Sequence, residues 1–196
     1  MSIRIRVKNP YIQTVKVAAL TIAFFAVVGL ASRFLEKPKT NTEQPAGVGW
    51  QLYFSPHGGC TEAILQQLES AKESIFVQAY AFTSEPIAKA LADARKRGVR
   101  VSIILDKSQR SEQYSEAGFL AQSDIRTLVD DGHAIAHNKV MVIDGHTVIT
   151  GSFNFTAAAE DKNAENLLVI HDTGLAQRYL ENWMAHATHS QPYASK

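Results

Sequence analysis

The stretch HNKVMVIDGHTVITGSFN, residues 137–154, decides how this chain is read. In its first half His137, Lys139 and Met141 alternate with Asn138, Val140 and Val142. A period of two marks a strand and puts His137 and Lys139 on one face of it. Asp144-Gly145 is a hairpin-turn dipeptide, and TVIT (residues 147–150) reads as the returning strand. Residues 136–143 and 147–150 are therefore expected to form a hairpin. Gly151-Ser152-Phe153-Asn154 ends the return strand, so Ser152 and Asn154, again two apart, come back beside His137 and Lys139.

Four polar side chains converging from two neighbouring strands suit work on a phosphate. An imidazole can attack phosphorus or move a proton near neutral pH. An adjacent ammonium offsets the charge that develops on the non-bridging oxygens. A hydroxyl and an amide can hold those oxygens, and Gly151 lets backbone approach closely. Asp144 is read as a turn residue bonding its own backbone rather than as a catalytic group. His133 and His137 would share a face if the segment were helical, but the alternation after His137 favours a strand, and no metal site is expected.

Outward from the hairpin, strands and helices alternate. Strands are expected at residues 51–54, 74–82, 99–105, 125–129 and 167–171, and helices at 61–73, from Ser84 to Gly98, at 112–122 and at 175–187. Ile64, Leu68 and Ala71 form the inward stripe of the first helix, Ile87, Leu91 and Ala94 that of the second, and Ala176, Tyr179, Leu180 and Trp183 that of the last. The expected fold is an α/β sandwich with a mixed sheet. No second H-x-K occurs in the chain.

His137, Lys139 and Asp144 match the HKD motif of the phospholipase D superfamily, and Gly151, Ser152 and Asn154 complete it. The chain resembles in particular the small single-motif bacterial endonucleases of that superfamily. The likeness runs over about 130 residues, from Tyr53-Phe54-Ser55-Pro56 through Ala79-Tyr80-Ala81-Phe82-Thr83 and Lys96-Arg97-Gly98-Val99 to Trp183. The resemblance implies a phospholipase D-like α-β-α sandwich over residues 50–196. It implies a reaction that needs no metal or other cofactor, and two HKD motifs at each active site. With one motif per chain, it implies a homodimer sharing one site on its two-fold axis. Glu165, in Asn163-Ala164-Glu165-Asn166, matches the family's acidic residue that orients the histidine.

The N-terminal region reads differently. Residues 17–32 (VAALTIAFFAVVGLAS) carry no charge, Arg4, Arg6, Lys8 and Lys16 precede them and Arg33 follows. As a helix they would span roughly 24 Å, short for a bilayer core of roughly 30 Å. Residues 1–35 are thus expected to be a signal peptide or an uncleaved membrane anchor, with the catalytic domain outside the cytoplasm. Residues 36–49 (EKPKTNTEQPAGVG) read as a linker.

Charge narrows the substrate less than the motif does. Residues 1–45 hold seven Lys or Arg against two Asp or Glu, and the remainder 13 against 17. This mildly acidic body speaks against a purely electrostatic DNA-binding module. The dense basic patch, Arg95, Lys96, Arg97 and Arg100, falls at a helix end, where it complements the dipole. Cys60, the single cysteine, is read as a buried residue, with an intermolecular bridge as the alternative. The reading from sequence is a phosphodiesterase acting through a phosphohistidine. A nuclease on DNA or RNA comes first. A phospholipase D on phosphatidyl diesters is the alternative, favoured if the N-terminus holds the protein at a membrane. A tethered binding module with a vestigial site fits poorly with an intact motif.

Overall fold

The computed structural model describes residues 49–194. The expected signal or anchor and the linker up to residue 48 lie outside the described residues. Among the described residues no helix is long and apolar enough to cross a membrane.

The strands are β1 (Gly49–Phe54), β2 (Ser74–Ala79), β3 (Arg100–Asp106), β4 (Arg126–Asp130), β5 (Lys139–Ile143), β6 (Thr147–Gly151), β7 (Asn166–His171) and β8 (Gln191–Pro192). The helices are α1 (Cys60–Ser70), α2 (Glu85–Lys96), α3 (Ala117–Gln122), α4 (Ala157–Asp161) and α5 (Thr173–Ala187), with a 3-10 turn at Lys107–Arg110. One sheet has the order β1-β7-β6-β5-β2-β3-β4-β8. The β2-β3-β4 pairs are parallel and the others antiparallel, so the sheet is mixed, as expected.

Alternation along the strands sorts the core into two faces. Ile75, Val77, Ile103, Met141, Ile149 and Val169 pack with Ile64 and Leu68 of α1 and Ile87 and Leu91 of α2. The intervening residues Val140, Val142 and Val148 pack against Ala176 of α5, and Ile104 and Leu128 against Trp183. Trp183 also donates its indole N–H to Val77 O at 2.9 Å, which fixes α5 over β2. Helices thus cover both faces of the sheet, and β5 is buried at every position. Cys60 is fully buried in the first cluster, and burial together with the Glu160 charge pushes its thiol up to about 12. That agrees with the reading of a buried residue and leaves no exposed thiol for a bridge.

Several boundaries move. β1 begins at Gly49, which pairs with His171 inside the expected linker. The helix expected at 112–122 is confined to Ala117–Gln122, because Glu116 N donates to Phe82 O (3.0 Å) rather than within a helix. β2 stops at Ala79, and Phe82 instead bridges to Phe155. The 3-10 turn, α4 and β8 had no counterpart in the reading. Gly98, with φ of +94°, ends α2 as expected.

Asp144 requires a correction. Its carboxylate does not bond its own turn: Oδ1 accepts from Glu73 N (2.8 Å) and Ser74 N (2.9 Å), and Oδ2 from Lys72 N (2.9 Å). It locks the α1–β2 connection to the hairpin tip. Burial pushes this carboxyl up, but the three N–H donors outweigh it and hold it below the ordinary aspartate range. Stability from Asp144 is therefore fully present above the unfolded value of about 3.9 and is lost as pH falls through the depressed folded value. Asp144→Asn should destabilise by about 1–3 kcal/mol at neutral pH. It should also flatten the acid limb of the stability curve, measured by urea unfolding across pH, while per-molecule turnover stays near wild type. A variant that is fully stable but inactive would contradict this role.

Candidate active site

The pairing brings the expected residues to one end of the sheet. β5 starts and β6 ends there; Ala79 pairs with Lys139, and Gly151 with Leu167. The β5–β6 register, Met141 opposite Ile149, continues to set Lys139 across from Gly151. Asp144 lies at the other end of β5, roughly 17 Å away at about 3.3 Å per residue, outside the reach of this chemistry.

His137 sits just before β5 rather than in it, and its side chain is exposed. The pairing nonetheless extends this far, because Tyr80 N donates to Asn138 O at 2.9 Å. The imidazole lies against the Tyr80 ring, with centroids 4.5 Å apart. Lys139 is 7% exposed, and its ammonium donates to His137 O at 2.9 Å and lies 5.0 Å from the Tyr80 ring centroid. Burial pushes this ammonium below the ordinary lysine range, and the Glu165 carboxylate opposes the push. A desolvated cation held next to an exposed imidazole favours an anion in the same place.

Ser152 and Asn154 arrive on the β6 extension. Ser152 Oγ accepts from Asn166 N (3.1 Å) and Asn166 Nδ2 (3.3 Å), which leaves its own O–H to donate. Ser152 N and Phe153 N both donate to Asn166 O at 3.2 Å. Asn154 Oδ1 is buried without a hydrogen-bond partner, an arrangement that costs free energy unless a ligand completes it. Gly151 adopts φ of +148°, and a Cβ there would lie 2.2 Å from Asn166 O. No other residue fits without moving β7.

Glu165 is at the start of β7, where Ser55 Oγ accepts from its N–H at 3.2 Å. Its Oε1 accepts from Asn163 Nδ2 at 3.0 Å, and no hydrogen bond joins it to the imidazole of its own chain. Its charge bears on Lys139 instead. The sequence reading missed two residues. Tyr80 supports both His137 and Lys139, and Asn166 scaffolds Ser152. The aromatic residues Tyr80 and Phe82 just after β2 and the Asn following Glu165 were the available signals.

The basic patch at 95–100 is not part of this site. Arg100 begins β3 and lies at the opposite end of the sheet. Arg95 is paired with Asp124, Lys96 with Asp93, and Arg97 donates to Leu68 O. A second constellation lies at the end of β4, where Asp130 gathers His133, His186 and His189. Burial pushes the Asp130 carboxyl up, but hydrogen bonds from the three imidazoles prevail and hold it at about 2.

With the geometry in place, the comparisons are specific. The family described as "Cardiolipin synthase, PLD-like domain" matches residues 64–186. The chain belongs to the phospholipase D superfamily. It is 49% identical over 132 residues to a phospholipase D of Rickettsia typhi, covering 67% of this chain and 65% of that one. It is 34% identical over 116 residues to a mitochondrial cardiolipin hydrolase of Xenopus laevis, covering 59% and 55%. The chain thus spans somewhat under two thirds of the length of these curated relatives. The crystal structure of Nuc from Salmonella typhimurium, a phospholipase D family member, superposes with a TM-score of 0.73 at 41% identity, covering 76% of this chain and 100% of that one. The superfamily's α-β-α layering agrees with the two helical faces described above.

Gly151→Ala should destabilise the protein more than Gly145→Ala. Both replace a glycine at positive φ, but only the first drives a methyl group into backbone. Urea midpoints of the two variants would measure the difference, and equal losses would show that the Gly151–Asn166 contact is not a constraint.

Proposed function

We propose that the protein hydrolyses phosphodiesters through a covalent phosphohistidine on His137, with nucleic acid as the substrate class. The observation that carries this is the exposed imidazole of His137 backed by the buried Lys139 ammonium, with Ser152 and the half-buried Asn154 amide at the same sheet end. His137 attacks phosphorus in line, a P–N bond forms and the P–O bond to the leaving alcohol breaks. A second imidazole protonates the leaving oxygen, then takes a proton from water as that water attacks phosphorus and releases His137. Lys139, Ser152 and Asn154 hold the non-bridging oxygens throughout. Glu165, on exchanging its bond to Asn163, sets the tautomer of the imidazole and stabilises its cation.

The second imidazole is proposed to come from a second copy of the chain. Within one chain none of the other histidines repeats the H-x-K pattern, and most are placed elsewhere. His133, His186 and His189 surround Asp130, and His171 is held by Thr147 at the far end of the sheet beside His146. His57 faces Asp161. A homodimer with a shared site would set two copies of His137 face to face across the phosphate. Export, and membrane association through residues 1–35, remain part of the proposal.

A phosphatidyl diester is the second reading. Phe54, the last residue of β1, and Ile135, on the connection before β5, are 60% and 58% exposed at the His137 end of the sheet. Apolar side chains beside a phosphodiester site suit a lipid surface, and curated relatives are named phospholipase D and cardiolipin hydrolase. Parallel assays on plasmid DNA, single-stranded nucleic acid and phospholipid vesicles separate the two readings. Turnover of nucleic acid alone supports the first, and turnover of vesicles alone overturns it.

His137→Asn should lower turnover by more than the roughly 10²–10⁴-fold expected for loss of acid–base help, with folding unchanged by circular dichroism. More than a tenth of the wild-type rate would sink the assignment. Mixing wild type with excess His137→Asn should depress activity below simple dilution, whereas a fully active monomer by light scattering would overturn the shared site. The groups around His137 supply a cation and N–H and O–H donors, so turnover at room temperature should survive EDTA. A loss that Mg²⁺ restores would contradict the scheme.

A further inference from the structure

β4 ends on Asp130, and residues 131–138, which include His137, run from there to β5. His186 lies in the last turn of α5 and His189 just beyond it. Long-range folding brings these segments together on one fully buried carboxylate. His186 Nδ1 lies 2.7 Å from Asp130 Oδ2, His133 Nδ1 3.0 Å and His189 Nε2 3.3 Å. The four candidate ligand atoms all fall within 4.8 Å of one another. The three rings also touch, with centroid separations of 4.8, 5.1 and 5.4 Å.

Hydrogen bonding alone is a poor account of that crowding. A neutral imidazole has one N–H, so three of them would have to direct their only donor at one carboxylate, His133 lying 3.1 Å from Oδ1 and 3.0 Å from Oδ2, where Gly132 N already donates to Oδ1. Charged imidazoles would repel one another around a single negative charge. A tetrahedral ion removes both difficulties. Ligand bonds of about 2.0–2.2 Å imply ligand–ligand edges of roughly 3.3–3.6 Å, and the carboxylate–imidazole separations of 2.7, 3.0 and 3.3 Å fall at or below that range. Small side-chain rotations would bring the four ligand atoms, all within 4.8 Å of one another, to that spacing.

We infer that Asp130, His133, His186 and His189 form a binding site for one divalent transition-metal ion of the zinc type. Three imidazoles and one carboxylate suit Zn²⁺, whereas Mg²⁺ and Ca²⁺ prefer oxygen ligands. The ligands come as two pairs with the same spacing, Asp130-x2-His133 and His186-x2-His189. The surroundings fit a built site. Gly132 N donates to Asp130 Oδ1 at 3.1 Å and orients the carboxylate. A Cβ on Gly132 would lie 3.0 Å from His189 Cδ2, so glycine is what lets that ring approach.

The ion would act on the fold rather than on phosphorus. β2 and β3 separate β4 from β5, so the cluster lies roughly 14 Å across the sheet from His137, at about 4.8 Å per strand. Yet His133 and His137 share one connection. Lys107 Nζ donates to His133 O at 2.8 Å, and Ala136 N donates to Asp106 Oδ2 at 2.7 Å, which holds both ends of it. An ion at Asp130 would pin the start of this connection to the end of α5. The inference does not depend on the substrate or on the proposed reaction.

The test uses the full chain without a histidine tag, stripped with a chelator and re-equilibrated with Zn²⁺. After gel filtration, elemental analysis should find one zinc per chain, and the thermal midpoint should rise with Zn²⁺ concentration. Co²⁺ in place of zinc should give the intense visible absorption of a tetrahedral site. The double variant His133→Gln/His189→Gln, changed at partly exposed positions, should fold by circular dichroism but lose the zinc and the midpoint shift. The single variant His146→Gln, outside the cluster, should keep both. Failure of the wild type to retain zinc, or equal retention by the double variant, would overturn the site and leave a hydrogen-bonded clamp. A double variant that does not fold is replaced by His189→Gln alone, which should cut zinc affinity at least tenfold; unchanged affinity would again overturn the site.

Discussion

A lysine ammonium held out of water at the end of a sheet is the constraint around which the site is arranged. Lys139 belongs to a strand buried on both faces, yet its charge cannot be left unpaired there. The chain answers with the His137 carbonyl, the face of Tyr80 and the nearby charge of Glu165. None of these is a salt bridge that would cancel the ammonium. What remains is a cation partly stripped of water beside an exposed imidazole. Gly151, opposite Lys139 in register, lets β6 lie against Asn166 of β7, which holds Ser152 at the same end of the sheet.

The hairpin was legible because its physics is local. Alternation assigns faces, Asp144-Gly145 makes the turn, and together they fix which residues meet. The helix stripes of α1, α2 and α5 were legible for the same reason, since a buried face repeats along the sequence. The parts that escaped are set by partners far away in the chain. Asp144 binds backbone some seventy residues earlier, which no turn rule contains. α3 is cut short by a bond from Glu116 to Phe82, and β8 exists because Gln191 and Pro192 lie against β4.

The histidines show the same division. His137 could be singled out because Lys139, Ser152 and Asn154 stand at fixed spacing around it. His133 was weighed against His137, its neighbour in sequence, whereas its partners in space are His186 and His189. The repeated x2 spacing was visible, but only the return of α5 over β4 brings the two pairs together. Charge was equally misleading when read locally. The densest basic run lies at the wrong end of the sheet and is spent on Asp93, Asp124 and a helix carbonyl.

The central claim is that phosphorus passes through two successive in-line displacements, the first on His137. Each displacement inverts the phosphorus centre, so the pair restores it. The most direct measurement is the stereochemical course of hydrolysis of a phosphodiester made chiral at phosphorus with sulfur and oxygen isotopes. Net retention is the predicted result. Net inversion would mean that water attacks the diester directly, and would contradict the phosphohistidine account whatever the substrate proves to be.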